Sequence, residues 1–358
     1  MLSDAPLHEP PLVTVVVPAF NAEATLARTL RSIADQTHRR LEILIVDDGS
    51  TDGTAAIAAE FCAGEPRARL IRQENKGVAA ARNRGLSEAA SAWIAPIDAD
   101  DLWHPRKIEL QLAAALAAPS PPGFVYCWSR LIDEGDRVIG TGEAWEVHGP
   151  ALTRLLYRNF VGNGSALLLS KTAALEAGGY DESLRGCGAQ GCEDIALQLA
   201  VARRHPVAAV PQFLVGYRLH GQAMSGDADR MFRSWQHVVG RLRADGANLP
   251  PQVLRRNLAF RTLQLAEARA LRGNRRGSAA ALWQALRLDF TRTTAQLSYR
   301  ALRLAARLLR GRRPAPPQPL FADLDPTQPV PGDPDALPRL ARLLHSIDAR
   351  RMAGLGRA

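Results

Sequence analysis

The chain has 358 residues, 46% of them hydrophobic and 23% charged, with a formal net charge of +9. That length suits one large domain plus a smaller one, and that apolar share fills a core, which excludes disorder as a general description. The four cysteines lack paired zinc-ligand spacing, which argues against a disulfide scaffold or a zinc module, and they are expected as free thiols.

Residues 1–11 read as an extension carrying Asp4, Glu9 and three prolines. No basic stretch precedes an apolar one there, so a cytoplasmic protein without a signal peptide is the expectation. The apolar run 13–20 is too short to cross a bilayer and reads as a buried strand. A helix follows over 22–36, with Leu26, Leu30 and Ile33 on one face. Strands are then expected at 41–46, 69–73 and 93–97, with helices at 54–62 and 78–90. This alternation predicts βαβ units and a parallel sheet with right-handed crossovers.

Further strands are expected at 123–130, 166–170, 207–210 and 213–218. Helices are expected at 172–177, stopped by Gly178-Gly179, and at 194–204, stopped by His205-Pro206. From 253 to 309 the pattern is helical. Ala259, Leu263, Ala266 and Ala270 share one face, and Ala279, Trp283, Leu286 and Phe290 repeat that spacing after a turn at 273–277. A third helix carries Leu297, Ala301, Leu304 and Leu308, with a basic stripe of Arg300, Arg303, Arg307 and Arg310. Residues 312–334 are Pro-rich and read as a flexible linker, and 338–352 as a short terminal helix. The resulting division is an extension at 1–11, a main domain at 12–228, a helical appendage at 229–311 and a linker with terminal helix at 312–358.

Acidic residues stand where strands end. Asp47 and Asp48 lie at the carboxyl edge of a parallel sheet, where open α/β folds bind ligands. A carboxylate there accepts hydrogen bonds from a nucleobase or ribose. The alternative is an Asx turn with helix capping by Ser50, Thr51 or Asp52. In Asp98-Ala99-Asp100-Asp101 three carboxylates repel one another unless a cation sits among them. Asp98 and Asp100 point the same way in an extended stretch, and oxygen ligands suit Mg²⁺ or Mn²⁺. The alternative, an acidic turn capping the helix near Pro105, suits Asp101. Glu193 and Asp194 open a helix, where the dipole favours acids in any case. Asn75, Lys76 and Arg82 lie in a loop and the helix start after it, suited either to an anionic ligand or to plain solvation. Trp103 and Trp128 suit sugar stacking or core packing equally.

Six segments stand in a characteristic order: Val15-Val16-Val17-Pro18-Ala19-Phe20-Asn21, Val46-Asp47-Asp48-Gly49-Ser50-Thr51-Asp52, Asn75-Lys76-Gly77-Val78-Ala79-Ala80-Ala81-Arg82-Asn83, Asp98-Ala99-Asp100-Asp101, Cys192-Glu193-Asp194 and Tyr217-Arg218-Leu219-His220-Gly221. Together they resemble the family 2 glycosyltransferases of the GT-A fold, over roughly residues 12–225. The resemblance implies an α/β, Rossmann-like nucleotide-diphospho-sugar transferase with a C-terminal α-helical appendage. It implies a metal-dependent, inverting enzyme of the hexosyltransferase type that takes a nucleotide-diphosphate sugar, UDP-linked first, with GDP and dTDP open. The acceptor is a saccharide or lipid-linked, in surface polysaccharide or glycolipid assembly.

The resemblance places Pro18, Phe20, Asn21, Glu23, Asp48, Asn75, Lys76, Arg82 and Asp98 against the nucleotide sugar, with Asp48 at the base and Asp98 at the ribose. Asp100, in the DxD motif, and His220 are the implied ligands of Mn²⁺ or Mg²⁺. Asp194 is the implied base, with Glu193 beside it for the acceptor. Many relatives have an aromatic residue where Ile195 to Leu197 lie and a Trp further along that helix, where this chain has Ile195-Ala196-Leu197-Gln198, so the acceptor's identity within that class is not implied.

Two rivals stay open. A sugar nucleotidyltransferase would show a Gly-rich basic loop after its first strand, and Pro18-Ala19-Phe20-Asn21 is not one. A non-enzymatic nucleotide-binding scaffold on the same fold would not need Asp98, Asp100 and Asp194. The basic C-terminal helices suit peripheral docking on the anionic inner face of a membrane or simple packing with charges in water. Nucleic acid is not an expected partner.

Overall fold

The structure, a computed structural model, describes residues 9–219, 226–310 and 318–328, together with 350, 351 and 354. One mixed sheet organises it. Its strands are β1 (Val13–Ala19), β2 (Leu41–Asp47), β3 (Ala68–Arg72), β4 (Trp93–Pro96), β5 (Leu102–Trp103), β6 (Phe124–Ile132), β7 (Val138–Thr141), β8 (Leu167–Ser170) and β9 (Val207–Arg218). The order is β3-β2-β1-β4-β8-β6-β9-β5, with β7 paired to β6.

The half made of β3, β2, β1 and β4 is parallel throughout. Every residue of β1 is buried, as a central strand covered on both faces requires. Beyond β4 the sheet turns mixed: β8 is antiparallel to β4 and β6, and β9 runs parallel to β6.

Helices α1 (Leu26–Ala34), α2 (Thr54–Gly64), α3 (Val78–Glu88) and α4 (Lys107–Ala117) supply the crossovers and cover the sheet. The approach of α3 is close: a Cβ on Gly85 would lie 2.2 Å from Val16 Cγ1, so glycine is required there. Helix α1 starts at Leu26, four residues later than the pattern predicts, because residues 21–23 hydrogen-bond across to 50–54. Short helices α5 (Leu152–Tyr157), α6 (Lys171–Glu176) and α7 (Ser183–Gly186) then lead to α8 (Glu193–Ala202).

The C-terminal helices are α9 (Ala228–Ala244), α10 (Pro251–Leu271), α11 (Arg275–Leu288) and α12 (Phe290–Arg310). They are not a separate globule. Trp235, Val238, Leu242, Val253 and Leu254 belong to the same buried cluster as the sheet. Asn257 Nδ2 donates to Leu156 O at 2.7 Å, and the Arg292 guanidinium lies 4.8 Å from the centre of the Tyr157 ring. Among the described residues no helix is long and apolar enough to cross a membrane. The side chains of Arg303, Arg307 and Arg310 lie outside the description, as does His220.

Residues 318–328 differ from the linker expected of them. Phe321 is buried against Ile132 and Val138. The buried Arg130 guanidinium donates to the carbonyls of Leu324, Asp325 and Gln328. Three polar main-chain acceptors engage one buried cation, so this Pro-rich strap is docked by hydrogen bonds as much as by its one aromatic.

Candidate active site

The site is built at the carboxyl ends of β1, β2 and β4. After β1 the chain turns at Asn21, whose φ is +48°. Asn21 N donates to Ser50 Oγ (3.0 Å) and Asn21 Oδ1 accepts from Thr51 N (2.9 Å). Glu23 Oε2 accepts from Gly53 N at 2.8 Å. Thr54 N donates to Asp52, so Asp52 is the acid that supports the start of α2. These bonds join the loops after β1 and β2 into one rim. Phe20 stands half exposed on it, while Pro18 is buried inside β1.

Asp47 and Asp48 are both buried. Asp47 accepts from Ser50 N at 3.1 Å in an Asx turn and pairs with Arg72. Asp48 accepts from Gln73 Nε2 (2.7 Å), Lys76 N (2.9 Å) and Gly77 N (2.7 Å). It therefore shapes the loop that carries Asn75 and Lys76, whose side chains are exposed. A carboxylate offers about four lone-pair sites, so one remains for a further donor. Gly49 is needed beneath this loop, since its φ is +76° and a Cβ would lie 2.8 Å from Asn75 N.

Arg82, on α3, is the electrostatic centre. Its guanidinium is 3% exposed and lies between two carboxylates. Nη2 reaches Asp98 Oδ1 at 2.5 Å, and Nη1 lies 2.6 Å from Asp194 Oδ1. The Tyr180 ring covers it, with 5.4 Å from guanidinium carbon to ring centroid. Asp98 and Asp194 each remain about a quarter exposed, so the bridge is buried while its two ends open outward.

Asp194 begins α8. The second contact of Arg82 is an ion pair without hydrogen-bond alignment, and Asp194 Oδ1 receives no hydrogen bond. Burial raises the Asp194 carboxyl to about 6, against the pull of Arg82; Asp98 and Glu193 push it the same way as burial, and the Gly164 amide opposes. Gly164 lies so near that a Cβ there would stand 2.8 Å from Asp194 Oδ2. Glu193 is buried, and both its oxygens accept from the Gly191 amide, at 3.0 and 2.9 Å.

The three acids after β4 are divided in role. Asp101 is fully buried, accepts from Ser165 Oγ at 2.5 Å and Arg218 N at 2.9 Å, and caps no helix. Burial, then Asp100 and Asp98, hold its carboxyl well above the usual range. Asp98 N donates to Ser165 Oγ at 3.0 Å. Arg218 Nε donates to the Asp100 carbonyl at 2.7 Å, which fixes the backbone at Asp100.

Among the described residues no three His, Cys, Asp or Glu groups converge as a metal cage. Mg²⁺-type sites use one or two carboxylates and complete their shell with substrate phosphates and water. A half-buried Asp100 on a fixed backbone beside Asp98 fits that pattern.

Several of these residues have no role that the sequence alone assigns. Arg218 was a motif letter there; the clue was a charged side chain ending an otherwise apolar strand. Asn163 and Ser165 alternate with glycines in Gly162-Asn163-Gly164-Ser165, a turn signal without a stated role. Trp103 and Trp128 pack: Trp103 Nε1 donates to Ser165 O, and Trp128 Nε1 to Trp145 O.

The chain is similar to known proteins. Residues 14–174 match the model of glycosyl transferase family 2. That part of the chain belongs to this family. Chondroitin synthase of Escherichia coli is 35% identical over 147 residues, covering 41% of this chain and 21% of that protein. The putative teichuronic acid biosynthesis glycosyltransferase TuaG of Bacillus subtilis (strain 168) is 41% identical over 103 residues, 28% of this chain and 41% of its own. The chain thus spans less than half the length of these curated relatives.

Two solved structures share the fold. S. aureus TarS 1–349, in complex with UDP-GlcNAc, aligns with TM-score 0.57 and 18% identity over 80% of this chain and 83% of its own. The mannosyltransferase PcManGT from Pyrobaculum calidifontis, in complex with GDP-Man and Mn2+, aligns with TM-score 0.55 and 22% identity over 82% and 80%. The fold is the GT-A type with a C-terminal helical region.

Proposed function

We propose that the chain transfers a sugar from a nucleotide-diphosphate donor, UDP-linked first, to an acceptor hydroxyl with inversion, in assembly of a polysaccharide or glycolipid. The observation that carries this reading is the Asp98–Arg82–Asp194 bridge, in which one buried guanidinium ties a donor-side carboxylate to the quarter-exposed carboxylate that opens α8.

The Asp194 carboxylate takes the proton of the acceptor hydroxyl, whose oxygen attacks the anomeric carbon from the face opposite the leaving group. The bond from that carbon to the nucleoside diphosphate breaks, and the diphosphate leaves with the electron pair. Asp48 and the rim at Phe20, Asn21 and Glu23 seat the nucleoside, with Asn75 and Lys76 at the edge. Asp100 would hold Mn²⁺ or Mg²⁺, with Asp98 beside it; such an ion, when bound, offsets charge on the departing diphosphate. Arg82 keeps Asp194 oriented and, by its charge, lowers the proton affinity that burial raises. The names of the relatives, a chondroitin synthase and a teichuronic acid glycosyltransferase, support the polysaccharide context.

The test is calorimetric binding of UDP-, GDP- and dTDP-sugars with and without Mn²⁺, for wild type and Asp100→Ala. One nucleotide class should bind in a Mn²⁺-dependent way and lose that dependence in the variant. Binding of none of the three would overturn the reading.

A further inference from the structure

A cleft of about 510 Å³ opens beside the base, lined among others by Ser129, Glu143, Trp145, Arg158, Asn163 and Tyr217. Its size falls in the range of small-molecule sites, about 300–1,000 Å³. It adjoins the base through the chain: Asn163 in its wall immediately precedes Gly164, where a Cβ would lie 2.8 Å from Asp194 Oδ2.

Three features of the wall bear on what it holds. The first is charge. Among the described residues that line it, Glu143 and Arg158 are the charged side chains. They form a two-pronged pair, Nε to Oε2 at 2.8 Å and Nη2 to Oε1 at 2.7 Å, and Trp145 Nε1 adds a third donor to Glu143 at 2.7 Å. The wall is therefore neutral, and an incoming carboxylate or phosphate would have to displace Glu143 from Arg158. The second is an unmet acceptor. Asn163 is 7% exposed; its Nδ2 donates to Ser129 Oγ at 2.7 Å, while its Oδ1 receives no hydrogen bond from the described residues. A buried amide oxygen without a donor is costly, and a hydroxyl hydrogen would satisfy it. The third is mixed character, with the Trp145 indole under the Arg158 guanidinium at 5.6 Å and Tyr217 nearby. Polar groups set among aromatic rings suit a ring with hydroxyls on its rim and C–H groups on its face.

We infer that this cleft seats the terminal sugar of the acceptor, that this sugar is uncharged, and that one of its hydroxyls donates to Asn163 Oδ1 while another is presented to Asp194. The inference rests on Asp194 being the base of a transferase. Asn163 and the Glu143–Arg158 pair then select the acceptor, whereas the rim at 20–23 and 48–54 selects the donor.

The experiment uses the full chain with Mn²⁺ and UDP or GDP, and saturation-transfer NMR with methyl glycosides of a hexose, an N-acetylhexosamine, a uronic acid and a hexose 6-phosphate. Wild type should bind a neutral glycoside in preference to both anionic ones. Asn163→Ala should weaken that binding about tenfold, the scale of one hydrogen bond, with the loss confined to the saccharide. Glu143→Gln keeps the shape, releases the Arg158 charge and should raise binding of the uronic acid; it also serves should Asn163→Ala fold poorly. The inference is overturned if nucleotide binds yet neutral glycosides bind equally to wild type and Asn163→Ala, or if the anionic probes are preferred by wild type. Failure of wild type to bind any nucleotide would instead bring down the transferase reading beneath it.

Discussion

The two halves of the sheet build their share of the site differently. In the parallel half, each functional group stands on the loop that ends its own strand: residues 20–23 after β1, 48–54 after β2 and 98–101 after β4. In the mixed half, no single loop holds a complete set. Ser165 precedes β8, Arg218 ends β9, Asp194 opens α8, and the cleft is walled by residues from 129 to 217. The first half makes chemistry by local sequence, the second by assembly. Arg82 spans the division, since it lies on a helix of the first half and holds Asp194 of the second.

Removing that span is the most direct way to break the comparison. Arg82→Ala would leave Asp98 and Asp194 facing each other without the cation between them. Breaking a buried pair by deleting one partner costs about 3–5 kcal/mol. Urea unfolding at pH 7 should show a loss of that order, with transfer activity abolished. The loss should shrink as pH falls, because protonating Asp194 removes one of the two repelling charges. A variant as stable as wild type at pH 7 would mean that the two halves are held together without this bridge.

The same contrast explains what was readable beforehand. The parallel half was legible nearly residue by residue, because runs such as Val15-Val16-Val17 and a following Asp-Asp-Gly-Ser leave few alternatives. For Asp98, Asp100 and Asp194 the local pattern leaves two readings open, since a dipole or a cap explains an acid equally well in isolation, and the roles proposed for them lean on family resemblance. The structure assigns Asp101 to Ser165 and Arg218, contacts across 64 and 117 residues that no local pattern encodes. Asn163, Glu143 and Arg158 were unreadable for the same reason: each matters through a partner distant in sequence. The strap at 318–328 was read as a linker because Pro-rich composition reports low helix and strand propensity, not whether a buried Arg130 waits for its carbonyls.

Asp194 sharpens the comparison next. With its carboxyl raised to about 6, transfer should climb as pH rises through that value and level off above it, since the base must be unprotonated. Asp194→Asn should lower turnover about 10²–10⁴-fold and abolish that limb. Stability should move in the opposite sense. A carboxyl held above its unfolded value, about 3.9, favours the folded chain when protonated, so its contribution declines between about pH 4 and pH 6. Thermal unfolding of Asp194→Asn should therefore lack the part of the decline over that window that wild type shows. Identical pH profiles of activity for wild type and variant would remove Asp194 from the chemistry.

The smallest effect expected is at the strap, and it tests how far assembly extends. Phe321 N donates to the Asp136 carbonyl at 2.9 Å. The Asp136 carboxylate holds Arg218 at 2.5 Å and Arg28 at 2.9 Å, and Arg218 in turn holds the Asp100 backbone. Phe321→Ala removes a buried aromatic, a change worth about 3–5 kcal/mol in a fixed core. A peripheral segment can detach instead of carrying a cavity, so global stability should fall by only about 1 kcal/mol, with the change appearing as local opening. Hydrogen exchange should quicken at Val138 N and Phe213 N, which donate to the strap carbonyls of Pro319 and Pro326. Mn²⁺-dependent nucleotide binding should weaken about threefold, because the path through Asp136 and Arg218 loosens at its far end. Faster exchange with unchanged binding would confine the strap to stability, and the assembled half of the site would then end at Arg218.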